Sequence, residues 1–244
     1  MSLLGSSMPH LFGLVGATTS TTSALPSLSV NLSGSLAKPT NSIVIIIVLS
    51  LLSVAPSLLI MLTGFVRAVV VLSLTRNALG LSAVPPNQVL AGLALFISLY
   101  VMAPTISTIN KVAIQPYMAG KISAVQAYDA GEVPLKTWML KQTRTTELNM
   151  FEQASGSKVV KPENVSMTAL IPAYLLSELQ SAFIIGFVIF VPFLIIDLVV
   201  ASILMSMGMM MLPPSLISLP FKILLFVLVD GWTLVVHTLL VSYR

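Results

Sequence analysis

Asp197 and Asp230 stand where a carboxylate is expensive, inside the apolar runs 182–204 and 223–241. An ionised group at a bilayer centre costs roughly 2.5–3.5 kcal/mol even on a lenient insertion scale, so both are expected to be buried polar groups facing protein or a water-filled cavity. Little else in the chain could do chemistry. His10 and His237 are isolated, no paired carboxylates flank a polar pocket, and no glycine-rich phosphate loop with lysine is present. The absence of cysteine excludes disulfides, thiolate metal sites and cysteine nucleophiles. The expectation is a protein that is not an enzyme, with no catalytic residues, no cofactor and no metal.

A second constellation is apolar. Met205, Met207, Met209, Met210 and Met211 crowd into the positions 205–211. Methionine is unbranched, flexible and polarizable, so such a cluster makes a deformable surface that repacks around different partners. Gathered at a turn, it would act as a soft seal.

These residues need elements to hold them. Only 8% of the 244 residues are charged and 56% are hydrophobic, against about 25% charged in a soluble domain. The apolar residues form four runs, 42–63, 89–103, 182–204 and 223–241, which read as helices surrounded by hydrocarbon or by other apolar helices. They pair into two hairpins, 42–104 and 182–244, with a polar segment 105–181 between them. The two hairpin turns share a pattern, Gly80 followed by Pro85 and Pro86, and Gly208 followed by Pro213 and Pro214. Glycine ends one helix in the left-handed region and proline suits the first turn of the next, so both turns should face the same side.

Arg67 and Arg76, with no acid nearby in sequence, mark the first turn as cytoplasmic, which leaves the middle segment outside. That segment mixes charges and reads as amphipathic helix over 133–151, with Leu135, Met139, Leu148 and Phe151 on its apolar side, and as a loop over 155–162. Residues 1–41 read as a signal peptide or a disordered exported tail. The formal charge of +4 is spread over separate loops and forms no dense basic run for nucleic acid.

The runs are poorly suited to lipid alone. Crossing about 30 Å of hydrocarbon takes about 20 residues, yet the second run offers 15 before Pro104. Pro56 and Pro192 interrupt the first and third, each freeing a carbonyl that a neighbour must satisfy, while the fourth begins at Pro220 and contains Asp230. Four such segments cannot enclose one another, which argues for an oligomer. The expected fold is an all-α membrane protein, two kinked apolar hairpins flanking a polar helical segment and assembling into a ring.

The run from Asp197 through the methionine cluster to Pro214, then Ile217 to Lys222 and Leu228 to Trp232, resembles the signature of the FliP family. Arg67, Val71 to Leu74, Asn77 to Gly80 and Pro85 to Leu90 resemble its first hairpin. Two departures are visible, Gly64 and Val66 before Arg67, and Gln180 after Glu178 where the family carries lysine. The resemblance implies the core subunit of the flagellar type III protein export gate, in the bacterial inner membrane at the basal body. It further implies five copies joined with FliQ and FliR in a closed ring that passes unfolded flagellar subunits, the methionine turn forming a gasket. On segments that the resemblance places in a packed ring, Glu178 is expected to pair with Lys222 or Arg144 across a subunit boundary. The homologous subunit of a needle-type secretion system is the alternative, which the long N-terminal extension disfavours. A small-solute or ion transporter would also use intramembrane aspartates, but four broken helices are few for a carrier.

Overall fold

The computed structural model describes residues 45–46, 49–50, 52–54, 57, 60–154, 156, 165–209 and 211–243. The chain divides into two units, Met1–Leu49 and Ser50–Arg244, and the helices that build the fold belong to the second. The expected exported tail 1–41, much of the first apolar run and nearly all of the loop 155–162 lie outside the described residues.

Among the described residues the architecture is helical throughout: α1 (Phe65–Ala78), α2 (Asn87–Ile109), a π-helical stretch (Asn110–Ile114), α3 (Gln115–Met118), α4 (Ala124–Gln142), α5 (Thr145–Ala154), α6 (Met167–Ser206), α7 (Pro214–Leu228) and α8 (Gly231–Val241). Local chemistry starts several of them. Ser123 Oγ accepts from Gln126 N at 3.3 Å while Gln126 Oε1 accepts from Ser123 N at 2.9 Å, a reciprocal cap opening α4. Ser166 Oγ accepts from Ala169 N at 3.3 Å and opens α6.

The structure redraws two sequence boundaries. Pro104 does not end its run: α2 passes through it and, with the π-helical stretch and α3, makes a span of 32 residues to Met118. A proline removes a single N–H, and in surroundings this apolar the remaining backbone bonds favour helix. Likewise α6 runs unbroken through position 181 for 40 residues, about 60 Å at 1.5 Å per residue, or twice the hydrocarbon thickness. Asn87–Met118 and Met167–Ser206 are long and apolar enough to cross a membrane, and α7 with α8 forms a third apolar pair bent by 63°. This is an all-α membrane protein.

Helix α1 buries Ala68, Val71, Leu72, Thr75 and Ala78, and Ala68, Val71, Leu72 and Ala78 share one core with Ala182 of α6. Small side chains let the two backbones approach: a Cβ added at Gly186 would lie 2.3 Å from Leu74 Cδ1 and 3.1 Å from Leu74 Cβ. Arg67 faces Glu178 and Leu74 faces Gly186, so α1 and α6 run parallel. Helix α7 returns antiparallel along α6, with Lys222 and Ser218 at Asp197 and the Phe226 ring 6.2 Å from that of Phe193.

The polar segment is not a separate layer. Trp138 and Met139 of α4 and Leu148 of α5 close over Leu170, Ala173 and Tyr174, in the first part of α6, to make a second core. The amphipathic stretch 133–151 is broken in two, because Thr143 takes an extended backbone between α4 and α5.

Candidate functional site

At the far end of α6 the chain reverses through the methionine turn. Met207 N–H bonds to Ile203 O at 3.1 Å, Gly208 N–H to Met205 O at 3.0 Å and Met209 N–H to Leu204 O at 3.0 Å. Gly208 has φ +74°, a left-handed conformation that costs glycine little. Pro213 then takes the N-cap position and Pro214 the first turn of α7. The methionines point outward: Met205 is 62% exposed, Met207 67%, Met209 40% and Met211 98%. Met210 lies outside the described residues.

The first turn uses similar chemistry. Gly80 has φ +76°, its N–H bonds to Asn77 O at 3.0 Å, and Leu81 N–H bonds to Arg76 O at 3.3 Å. Here Pro86, rather than Pro85, takes the N-cap position, so the two turns differ by one residue and are not a strict repeat. Arg76 is not a free loop charge. It is half-buried and braces the turn, donating from Nη1 to Pro85 O at 3.1 Å and Asn87 Oδ1 at 2.6 Å.

Both turns lie at one end of the unit. The Gly80 turn is level with α7 near Leu219, whose Cδ1 lies 3.8 Å from a Cβ built on Gly80. The methionine turn stands further out: from Asp197, level with Lys222, α6 continues to Ser206, about 13 Å at 1.5 Å per residue. Only Leu204 is buried in that extension.

Behind the turns sit two charge clusters. Lys222 Nζ donates to Asp197 Oδ2 at 2.6 Å and to Ala78 O at 3.3 Å, and Ser218 Oγ donates to Asp197 Oδ1 at 2.5 Å. Ala78 closes α1, and a cation is favoured at that carbonyl end. One ammonium thus ties the first hairpin to the second, and Asp197 lies half-buried against it.

The second cluster centres on Arg67, 3% exposed, and Glu178, 0% exposed. Arg67 Nε donates to Glu178 Oε2 at 3.1 Å and Nη2 donates to Glu178 Oε1. Nη2 also donates to Gln142 Oε1 at 3.3 Å, and Nη1 to Ser242 O at 2.7 Å and Ser242 Oγ at 3.1 Å. The Tyr243 ring lies 4.1 Å from the guanidinium carbon. The tyrosine hydroxyl donates to Gly64 O at 2.6 Å, and Gln142 Nε2 donates to Tyr243 O at 3.1 Å.

The expected pairing of Glu178 is corrected here. Glu178 pairs with Arg67, not with Lys222 or Arg144, and does so within one chain. Lys222 is taken by Asp197, 19 residues further along α6 from Glu178, about 28 Å away by helical rise. Arg144 is half-buried, and its backbone N–H donates to Ser177 Oγ at 3.0 Å. On the single chain Asp230 is exposed, in a left-handed conformation (φ 50°) at the bend between α7 and α8, its carbonyl accepting from Leu234 N at 3.1 Å. The bend is closed by Phe226, whose ring meets Trp232 edge-on at 5.3 Å and leaves no space for a Cβ at Gly231.

Sequence reasoning missed the Arg67 junction altogether. The one signal for it was that Arg67 is as isolated among apolar residues as Glu178 is. Among the described residues no group of three or more His, Cys, Asp or Glu side chains could hold a metal ion.

Comparison with known proteins finds a family and relatives for this chain. The FliP family model matches residues 48–239. The flagellar biosynthetic protein FliP of Bacillus subtilis (strain 168) is 54% identical over 206 residues, covering 83% of this chain and 92% of the relative. The proteins of the same name from Pectobacterium carotovorum subsp. carotovorum and Aquifex aeolicus (strain VF5) are each 49% identical, over 84% of this chain and 80% and 87% of their own lengths.

Proposed function

The chain belongs to the FliP family, and from that premise we propose that it is a pore-forming core subunit of the flagellar type III protein export gate, with the methionine turn sealing the closed channel. It acts in the bacterial inner membrane at the flagellar basal body. Five copies assemble with FliQ and FliR around a path for unfolded flagellar subunits. The supporting observation is the exposed methionine turn, carried well beyond the first turn on two apolar helices.

A ring of such turns narrows a passage with side chains that offer hydrated ions no polar ligand, and hydrophobic constrictions block ions by dewetting. The same flexible side chains yield to a passing polypeptide and close behind it, because methionine repacks at little cost. The surface of α6 supports assembly. Only 11% of its most apolar stretch is buried within the chain, and Phe183, Phe187, Val188 and Leu198 are all exposed. Lipid or neighbouring helices must cover them. Glu178 and Lys222 have their partners inside the chain, so Arg144 is the charge we retain for a contact between copies.

Replacing Met207, Met209 and Met211 with alanine tests the seal. The assembled variant should pass small ions that the native complex excludes, measured as conductance in planar bilayers. A variant as tight as the native assembly would remove the basis for the reading.

A further inference from the structure

Arg67 has five N–H groups, and the structure satisfies every one of them. Glu178 accepts two, Gln142 one and Ser242 two. The acceptors arrive from widely separated parts of the sequence, Glu178 after 111 residues and Ser242 after 175. During synthesis at about 5–20 residues per second, Arg67 therefore waits roughly 9–35 s for its last acceptors. A buried guanidinium with unmet donors is unfavourable, and more so where water is excluded.

The segment that ends this wait is held in an unusual way. Helix α8 buries only Gly231, Val235 and Leu239. Past its last turn, Ser242 and Tyr243 enter the protein: Tyr243 is buried, spans the guanidinium, donates to Gly64 O and receives Gln142 Nε2 through its own carbonyl. Gly64 is shaped to this, since a Cβ there would lie 2.9 Å from Tyr243 Cζ and Oη. The start of α1, the end of α4, the first third of α6 and the segment after α8 thus meet at one cation.

We propose that Ser242–Tyr243 is an internal latch that completes the shell of the buried Arg67–Glu178 pair, so that the chain becomes fit to pack with its neighbours only after this dipeptide has docked. A chain without the latch holds a buried guanidinium with two unmet donors and no ring across its face. Such a chain is open at the junction and exposed to proteolysis. The role is one of positioning: the docking of the dipeptide rests on this geometry, and the packing with neighbours rests on the export reading.

The latch exists to satisfy a charge, so removing the charge should remove the need for it. Chains stopped after Val241 are compared with chains that carry Ser242 and Tyr243, in the native background and in two neutral backgrounds, Arg67→Met/Glu178→Met and Arg67→Gln/Glu178→Gln. Lifetime is followed by pulse-chase. In the native background the shortened chain should be lost about fivefold faster or more, the scale expected when a core interaction fails in the cell. In a neutral background the shortening should accelerate loss by a clearly smaller factor, because only the packing of the buried Tyr243 ring is then removed and no charge is left to satisfy. Rescue in either neutral background supports the latch. An equal loss in all three overturns it, and so does an unchanged lifetime for the native chain stopped after Val241.

Discussion

Removing the Glu178 carboxylate tests which partner this residue has. In Glu178→Ala the guanidinium of Arg67 stays buried and loses the acceptors for Nε and one donor of Nη2. Deleting one member of a buried pair costs about 3–5 kcal/mol, a large share of a native stability of about 5–15 kcal/mol. For a domain of this size each kcal/mol moves the melting temperature by about 2–4 °C, so a drop of about 6–20 °C is expected. The assay is thermal unfolding of the detergent-solubilised chain, followed by circular dichroism across two double-mutant cycles. Glu178→Ala and Arg67→Ala should be strongly non-additive, since the second substitution removes the charge that the first left stranded. Glu178→Ala and Lys222→Ala should add to within about 0.5 kcal/mol, because about 28 Å of α6 separates their sites. Coupling of Glu178 to Lys222, with additivity towards Arg67, would refute the assignment of both ion pairs.

Three further outcomes are expected. Gly231→Ala should destabilise by about 1–3 kcal/mol, because the new Cβ lies 2.2 Å from Phe226 ring atoms that Phe193 and Trp232 hold in place; denaturant titration reads the loss. Burial, and after it the Glu178 carboxylate, raises the pKa of the Tyr243 phenol. The stability this contributes is fully present below the unfolded value of about 10 and is lost as pH rises beyond it, so melting temperature should fall in alkali and fall less in Tyr243→Phe. The chain has no native cysteine, so single cysteines at exposed Val84, Met211 and Met118 report sidedness in intact cells. Val84 and Met211 should label from one side and Met118 from the other, the span Asn87–Met118 being about 46 Å long against about 30 Å of hydrocarbon; labelling of all three from one side would contradict this.

Composition and local turn chemistry made much of the fold legible. Four apolar runs could only be helices in a chain with so few charges, and the glycine and Pro-Pro pattern located both reversals. The lengths were less legible. A proline in an apolar helix costs one backbone bond, and whether it ends the helix depends on neighbours that a linear reading does not contain. Pro104 and the join at 181 therefore look like boundaries in the sequence and are helix interiors in the fold. The methionine turn was legible because it is local, a concentration within seven positions.

Charge pairing was the least legible, because it depends on which helices run side by side. Arg67 and Glu178 are 111 residues apart and meet only because α1 lies parallel to α6 with small residues between them. The same contact changes what Arg67 can say about orientation. A charge neutralised inside the protein cannot act as an unbalanced loop charge, and Arg76 is itself bound across its turn. The sidedness expected from these arginines therefore stands on one cation rather than two. What places both turns at a common end is instead the packing of α7 on α6 and of Lys222 on Ala78, an argument from contacts that would hold whichever compartment that end faces.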